Sequence, residues 1–316
     1  MPPSTFAKPA AVKPALAMSG TDWLLLIVLS VLWGGSFYFA KIAVAEIPPL
    51  TLALGRVGIA AAALAIVTRA TATPWPRDAR TWWTFTVMAT LNNVVPFTLI
   101  FWGQLYISIG LASILNATSP LFGVLVAHLL THDDRLSVGR VVGLVAGFVG
   151  VVVLIGADLL GEFGTDVLAE LACLATACSY AFGAVHSRRL RGLSPIMVAT
   201  GQLMMSTALL APIVFLLDRP SAVLAASSAA LWSMMSLALL SSALAYLIYF
   251  RVIGRAGATN ALLVTFLNPV SAIALGILLL HESLEPHQLA GMAAIFVGLA
   301  AIDGRPAKTI ARLVRH

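Results

Sequence analysis

A chain of 316 residues with 60% hydrophobic and only 10% charged residues cannot clothe a water-soluble globule, since an average soluble domain carries about 25% charge. Lipid is the solvent that fits this composition. The formal charge of +6 does not point to nucleic acid either, because the basic residues sit in short connectors rather than on one face.

The first twenty residues are rich in Pro and Ala, carry Lys8 and Lys13, and show no apolar periodicity. Residues 1–20 are therefore expected to form a cytoplasmic tail. The apolar run Trp23–Val44 is longer than a signal-peptide core of about 7–15 residues, which predicts an uncleaved first span. A spanning helix needs about 20 mainly apolar residues. Runs of that order follow at Leu50–Val67, Trp82–Trp102, Ser108–Leu130 and Val138–Ile155, and then at Val167–His186, Ser194–Leu217, Leu231–Ile253, Ala258–Leu280 and Glu285–Ile302. The fold class predicted is all-α integral membrane, with ten transmembrane helices.

The connectors orient these spans. With the N-terminus inside, the cytoplasmic segments hold Lys8, Lys13, Arg69, Arg77, Arg80, Arg135, Arg140, Arg188, Arg189, Arg191, Arg251, Arg255, Arg305, Lys308, Arg312 and Arg315. Those are 16 of the 19 lysines and arginines, and this asymmetry sets orientation. The outer side keeps Arg219, while Glu46, Asp158, Glu162, Asp166, Glu170, Asp218, Glu282 and Glu285 fall at or beyond the outer ends. A multi-pass protein of the cell inner membrane with both termini cytoplasmic is expected.

The two halves repeat. A shift of 149 residues carries Phe101 onto Phe250, Pro120 onto Pro269, His132 onto His281 and Asp133 onto Glu282. After a one-residue slip Gly143 falls on Gly291 and Gly150 on Gly298. Each copy holds five predicted spans, an odd number, so the second copy enters the membrane upside down. The expected organisation is one five-helix repeat over residues 21–156, an inverted one over 164–303, and a basic cytoplasmic tail over 304–316. Inverted repeats are characteristic of transporters, because two copies of one bundle give two near-equivalent states open to opposite faces.

Polar groups at membrane depth face a neighbouring helix or a wet cavity. Asn92 and Asn93 lie near the middle of the third predicted span, one turn before Pro96, and the repeat carries them onto Ser241 and Ser242 in the eighth. Asn116, Thr118 and Ser119 precede Pro120; Thr265 and Asn268 precede Pro269. Trp102, Tyr180 and Tyr246 could stack on an apolar or aromatic substrate while a hydroxyl or indole N–H fixes its polar end. Ser36, Asn92, Asn93, Trp102, Asn116, Ser119, Tyr180, Ser241, Ser242, Tyr246 and Asn268 are thus the candidate substrate-binding residues. For each polar one the alternative is a hydrogen bond that holds the bundle together, and for Trp102 it is interfacial anchoring.

Lys41 and Arg56 lie toward the outer ends of the first two spans, with Glu46 between them. They are gate candidates that could attract a substrate carboxylate; the alternative is snorkelling or mutual pairing. No Asp or Glu falls in the middle third of a predicted span, which argues against a carboxylate proton relay there. Cys173 and Cys178 face apart on a helix, so neither a disulfide nor a metal pair is expected, and no metal site or cofactor is predicted. An intramembrane enzyme would need a nucleophile with its base, an aspartate pair or a metal cluster. A channel would need rings of charge. Neither pattern occurs at membrane depth.

The chain resembles EamA-type members of the drug/metabolite transporter superfamily. The resemblance is carried by Trp33-Gly34-Gly35-Ser36-Phe37 in the first span, Pro48-Pro49 through Arg56 opening the second, the Pro120 and Pro269 segments followed by Asp133 and Glu282, and glycines in the fifth and tenth spans. Asp133-Asp134 departs from the Glu often found there. The resemblance implies ten helices, a central substrate cavity and alternating access. Among branches it is nearest to amino-acid and metabolite exporters, aromatic amino-acid exporters included, so the partners expected are a small-molecule substrate and the lipid bilayer.

Overall fold

The structure, a computed structural model, describes residues 18–131, 137–159, 164–218 and 220–303. Most of the N-terminal tail, Asp133 and Asp134, Glu162, Arg219 and the basic C-terminal tail lie outside the described residues. Within them every regular element is a helix.

Helix starts follow from the local sequence. Helix α1 (Gly20–Val44) opens on a capping box in which Ser19 and Asp22 satisfy each other's backbone N–H groups. Helix α2 (Pro49–Ala70) begins with Pro49, whose missing N–H costs nothing in a first turn. Helix α3 (Ala79–Gly103) starts on the Asp78 carboxylate, which accepts from Thr81 N–H. Helix α4 (Ile109–Leu130) starts on Ser108 and is interrupted at Ala117 and Thr118, just before Pro120. Then come α5 (Val138–Leu159), α6 (Thr165–Ser187), α7 (Pro195–Leu217) and α8 (Ser228–Ala256). The run expected as one span over Ala258–Leu280 is divided. Gly257, at φ 85°, leads into a single turn Ala258–Ala261, and α9 (Val264–Leu280) follows. Helix α10 (Pro286–Asp303) completes the described chain.

Eight of these helices, α1 to α8, are long and apolar enough to cross a membrane; Val264–Leu280 and Pro286–Ile302 are shorter apolar helices. Their outer faces suit lipid: along α5, Val138, Val142, Val145 and Val152 are all more than half exposed, a pattern that water would penalise.

The two halves pack through reciprocal contacts. A Cβ built on Gly143 would lie 2.6 Å from the Gly298 carbonyl oxygen, and one on Gly150 would lie 2.7 Å from that of Gly291. Gly143 and Gly291 are repeat equivalents, as are Gly150 and Gly298, so each glycine meets the other's counterpart. That reciprocity defines an isologous contact, here between α5 and α10 running antiparallel. Helices α2 and α7 cross the same way: Thr51 meets Asp218, Gly58 meets Thr207 and Thr68 meets Thr200. Helix α1 lies against α9 as α6 lies against α4.

One face is stitched by carboxylates that cap helices other than their own. Glu46, after α1, accepts from Ser227 N–H and hydroxyl at the start of α8, both at 2.6 Å. Asp218, ending α7, accepts from Thr51 N–H and hydroxyl in the first turn of α2, both at 2.8 Å. Glu282, after α9, accepts from Ile109 N–H at 3.0 Å and Gly110 N–H at 3.4 Å, opening α4. Each capped N-terminus is one where the helix dipole favours an anion. At the opposite end of the helices, Asp22 at the start of α1 pairs with Arg255 near the end of α8 at 2.7 Å.

Candidate substrate-binding site

Midway along α3 and α8 the helices widen into single π turns, Thr90–Val94 and Leu239–Leu244. The repeat shift carries one onto the other. In a π turn a carbonyl pairs with the N–H five residues on: Ala245 N–H donates to the Leu240 carbonyl. The equivalent donor in α3 would be Pro96, which has none. The orphaned Leu91 carbonyl is instead met by the Ser179 hydroxyl of α6 at 2.7 Å, and the Pro96 carbonyl is met by Thr176 at 3.3 Å. Single π turns recur at functional sites, and here they swing Asn92, Asn93, Ser241 and Ser242 out of ordinary helical register.

Two polar contacts related by the repeat result. Asn93, fully buried, donates from Nδ2 to Ser206 Oγ on α7 at 2.9 Å. Its counterpart Ser242 accepts from Arg56 Nε on α2, also at 2.9 Å, and passes its own hydroxyl proton to the Leu237 carbonyl. The symmetry is broken in chemistry: where one half carries a serine on its partner helix, the other carries a cation. Arg56 is only 7% exposed. Its guanidinium carbon sits 3.9 Å over the Phe97 ring and 5.9 Å from that of Phe101, with Tyr180 and Tyr246 within electrostatic reach. Among the described residues no carboxylate lies within salt-bridge distance of it. A buried charge is ordinarily paired with an opposite one; this one is held by a serine hydroxyl and an aromatic face.

A third chain of bonds runs beside it. Asn92 Nδ2 donates to Gln202 Oε1 at 3.4 Å, and Gln202 Nε2 donates to the Tyr246 hydroxyl oxygen at 3.3 Å. Gln202 and Ser206 stand one turn apart on α7, and the Ser206 hydroxyl donates back to the Gln202 carbonyl. Gly183 of α6 packs on the Asn92 amide so closely that a Cβ there would overlap it. The site therefore gathers α2, α3, α6, α7 and α8 around one arginine, two tyrosines and two π turns.

The structure brings Asn92, Asn93, Ser242, Tyr246, Tyr180 and Arg56 together and places the other candidates elsewhere. Ser241 is buried with its hydroxyl unbonded. Ser36 and Ser119 return their hydroxyls to the Trp33 and Asn116 carbonyls of their own helices. Asn116 and Asn268 each hold a buried side-chain oxygen without a partner, on α4 and α9. Trp102 packs against Tyr106, ring centroids 5.3 Å apart. Lys41 donates to the Gln104 and Ile107 carbonyls at 2.6 and 2.9 Å, closing the α3–α4 connector onto α1. The mutual pairing of Lys41, Glu46 and Arg56 weighed from sequence does not form, because each finds a different partner. Arg56 reaches inward to the α8 π turn rather than toward the outer end. Gln202 and Ser206 were not singled out in the sequence; an amide and a hydroxyl one turn apart at depth in a largely apolar α7 are the signal that marks them.

A model described as the EamA-like transporter family matches residues 21–156 and 167–302. The chain belongs to the EamA-like transporter family. It is a transmembrane transporter built from two EamA-like repeats. A Bacillus subtilis (strain 168) relative named uncharacterized transporter YvbV is 30% identical over 285 residues, covering 89% of this chain and 90% of that one. A Salmonella typhimurium (strain LT2) relative named probable amino-acid metabolite efflux pump is 26% identical, covering 89% of this chain and 94% of its own. A solved crystal structure superposes with a TM-score of 0.64 at 20% identity, covering 95% of this chain and all of that one, a likeness of fold.

Proposed function

We propose that this EamA-like protein exports small carboxylate-bearing metabolites of the amino-acid type by alternating access. The observation that carries the reading is Arg56, buried between aromatic rings with no carboxylate partner among the described residues. A substrate carboxylate would supply the missing anion through a bidentate, charge-assisted contact. Phe97 and Tyr246 offer faces for an apolar or aromatic side chain. The amino-acid name carried by the Salmonella relative supports the same class.

In this reading α9 and α10 cross the membrane with α1 to α8, giving ten spans in the cell inner membrane with both termini cytoplasmic. The repeats at 21–156 and 164–303 then stand inverted. The reciprocal, antiparallel α5–α10 contact supports that, since a twofold axis relating antiparallel spans lies in the membrane plane. The carboxylate-capped face is the outer one, and Lys41 serves there as a gate element holding the α3–α4 connector. No cofactor is called upon. The test is counterflow into proteoliposomes with a panel of the twenty labelled amino acids. Saturable, stereoselective exchange of at least one supports the reading. Flux of none, or unsaturable current, removes it.

A further inference from the structure

Hydrogen bonds have a direction, and the direction set by Gln202 has a chemical consequence. An amide is a donor at one end and an acceptor at the other. Gln202 spends its oxygen on Asn92 Nδ2 and its nitrogen on the Tyr246 hydroxyl oxygen. Tyr246 is thereby made an acceptor toward α7, and among the described residues that is the bond its hydroxyl makes. Its proton is left to point at something else. Arg56 is spent in the same one-sided way. Its Nε is held by Ser242, whose own proton goes to Leu237, which leaves the two terminal amino groups of the fork as donors that cannot accept.

We infer that Gln202 is a positioning and specificity-determining residue: by fixing Tyr246 as a donor beside Arg56 it builds a donor-only subsite that takes a carboxylate and rejects the carboxamide of the same molecule. The inference rests on the carboxylate reading above and deepens it. A carboxylate oxygen accepts from Tyr246 O–H and from the guanidinium, and each group meets its complement. A carboxamide would turn its NH2 toward one of these donors, and a donor facing a donor in a dry site is left unsatisfied. Sites that hydrogen-bond a substrate group reject analogues lacking it far more sharply than apolar pockets do. Asn92 completes the relay, because its Nδ2 hands Gln202 the N–H that fixes which way its amide lies.

The experiment uses full-length protein in proteoliposomes, with the amino acid most strongly exchanged in the twenty-member panel and its carboxamide as competitors. Wild type is expected to favour the acid. Gln202→Glu places an acceptor where Nε2 stood, draws the Tyr246 proton to itself, and is expected to reduce the acid-over-amide ratio about tenfold to a hundredfold, the worth of one hydrogen bond to a charged group. Tyr246→Phe removes the donor outright and is expected to reduce the ratio similarly. The double variant is expected to match the worse single one, since both act through one proton. Thermal unfolding in detergent confirms that each variant is folded. A merely structural Gln202 would lower transport of acid and amide alike and leave the ratio unmoved, and that result overturns the inference. Should wild type exchange no amino acid at all, the carboxylate reading fails first and this inference with it.

Discussion

The α5–α10 crossing makes a quantitative prediction. The ideal Cβ of an alanine at position 150 would stand 2.7 Å from both the Gly291 oxygen and the Ile295 nitrogen. Ordinary contact begins near 3.4 Å, so about 0.7 Å must be found by moving backbone. Neither atom belongs to a side chain that can swing away, so the two helices must part along their whole contact. Overpacking of that kind costs about 1–3 kcal/mol. Against it, Gly→Ala inside a helix returns about 1 kcal/mol of propensity. Gly150→Ala should therefore destabilise by up to about 2 kcal/mol net. Gly139 lies on the same helix, but its Cβ would meet nothing nearer than the Ala301 oxygen at 3.9 Å. Gly139→Ala keeps the propensity gain without the clash and should be neutral or slightly stabilising. The assay is thermal unfolding of the purified protein in detergent, with the two variants measured side by side. Equal melting temperatures for both, or a loss confined to Gly139→Ala, would refute the close α5–α10 contact as described.

Three further outcomes follow from single contacts. Ser179→Ala strands the Leu91 carbonyl beneath Pro96 and should cost about 1–3 kcal/mol; adding Pro96→Ala restores the backbone donor and should recover most of the loss in the same unfolding assay. Lys41→Met removes two short bonds to the α3–α4 connector, and faster proteolysis at that connector in vesicles is the expected sign, whereas an unchanged rate would show the clamp to be idle. Glu46, outside the spans, is held below its ordinary 4.5 by the Ser227 hydroxyl first and its N–H second. A depressed folded-state value means its contribution is present above pH 4.5 and is lost as pH falls through the lowered value. Glu46→Gln should accordingly flatten the acid limb of a melting-temperature profile.

Much of the architecture was legible because lipid imposes simple rules. Length and apolarity located the helices. The shift of 149 that pairs Asn92 and Asn93 with Ser241 and Ser242 also superposes the two π turns. The π turns themselves were not legible, because an added residue in one turn leaves no mark on composition; Pro96 hints at one, but Ala245 does not. The division of the ninth apolar run after Ala261 was hidden inside continuous hydrophobicity. At the site, residue depth identified the polar groups but not their pairing. Sequence placed Arg56 near Lys41 and Glu46, whereas its long side chain reaches Ser242, 186 positions away. Gln202 escaped notice because α7 gave it no repeat partner, and its role is defined by bond direction, which only three-dimensional geometry supplies.

The central claim is that Arg56 is kept buried for a substrate carboxylate rather than for the fold, and the two roles separate in Arg56→Met. Replacing an unpaired buried charge with an apolar side chain of similar length relieves desolvation and is neutral or stabilising. Loss of the guanidinium should at the same time abolish saturable amino-acid counterflow in proteoliposomes. Unfolding and counterflow measured on the same preparation are predicted to show an unchanged or raised melting temperature with transport gone. Transport retained at wild-type affinity, or a protein that loses its fold without Arg56, would contradict the account.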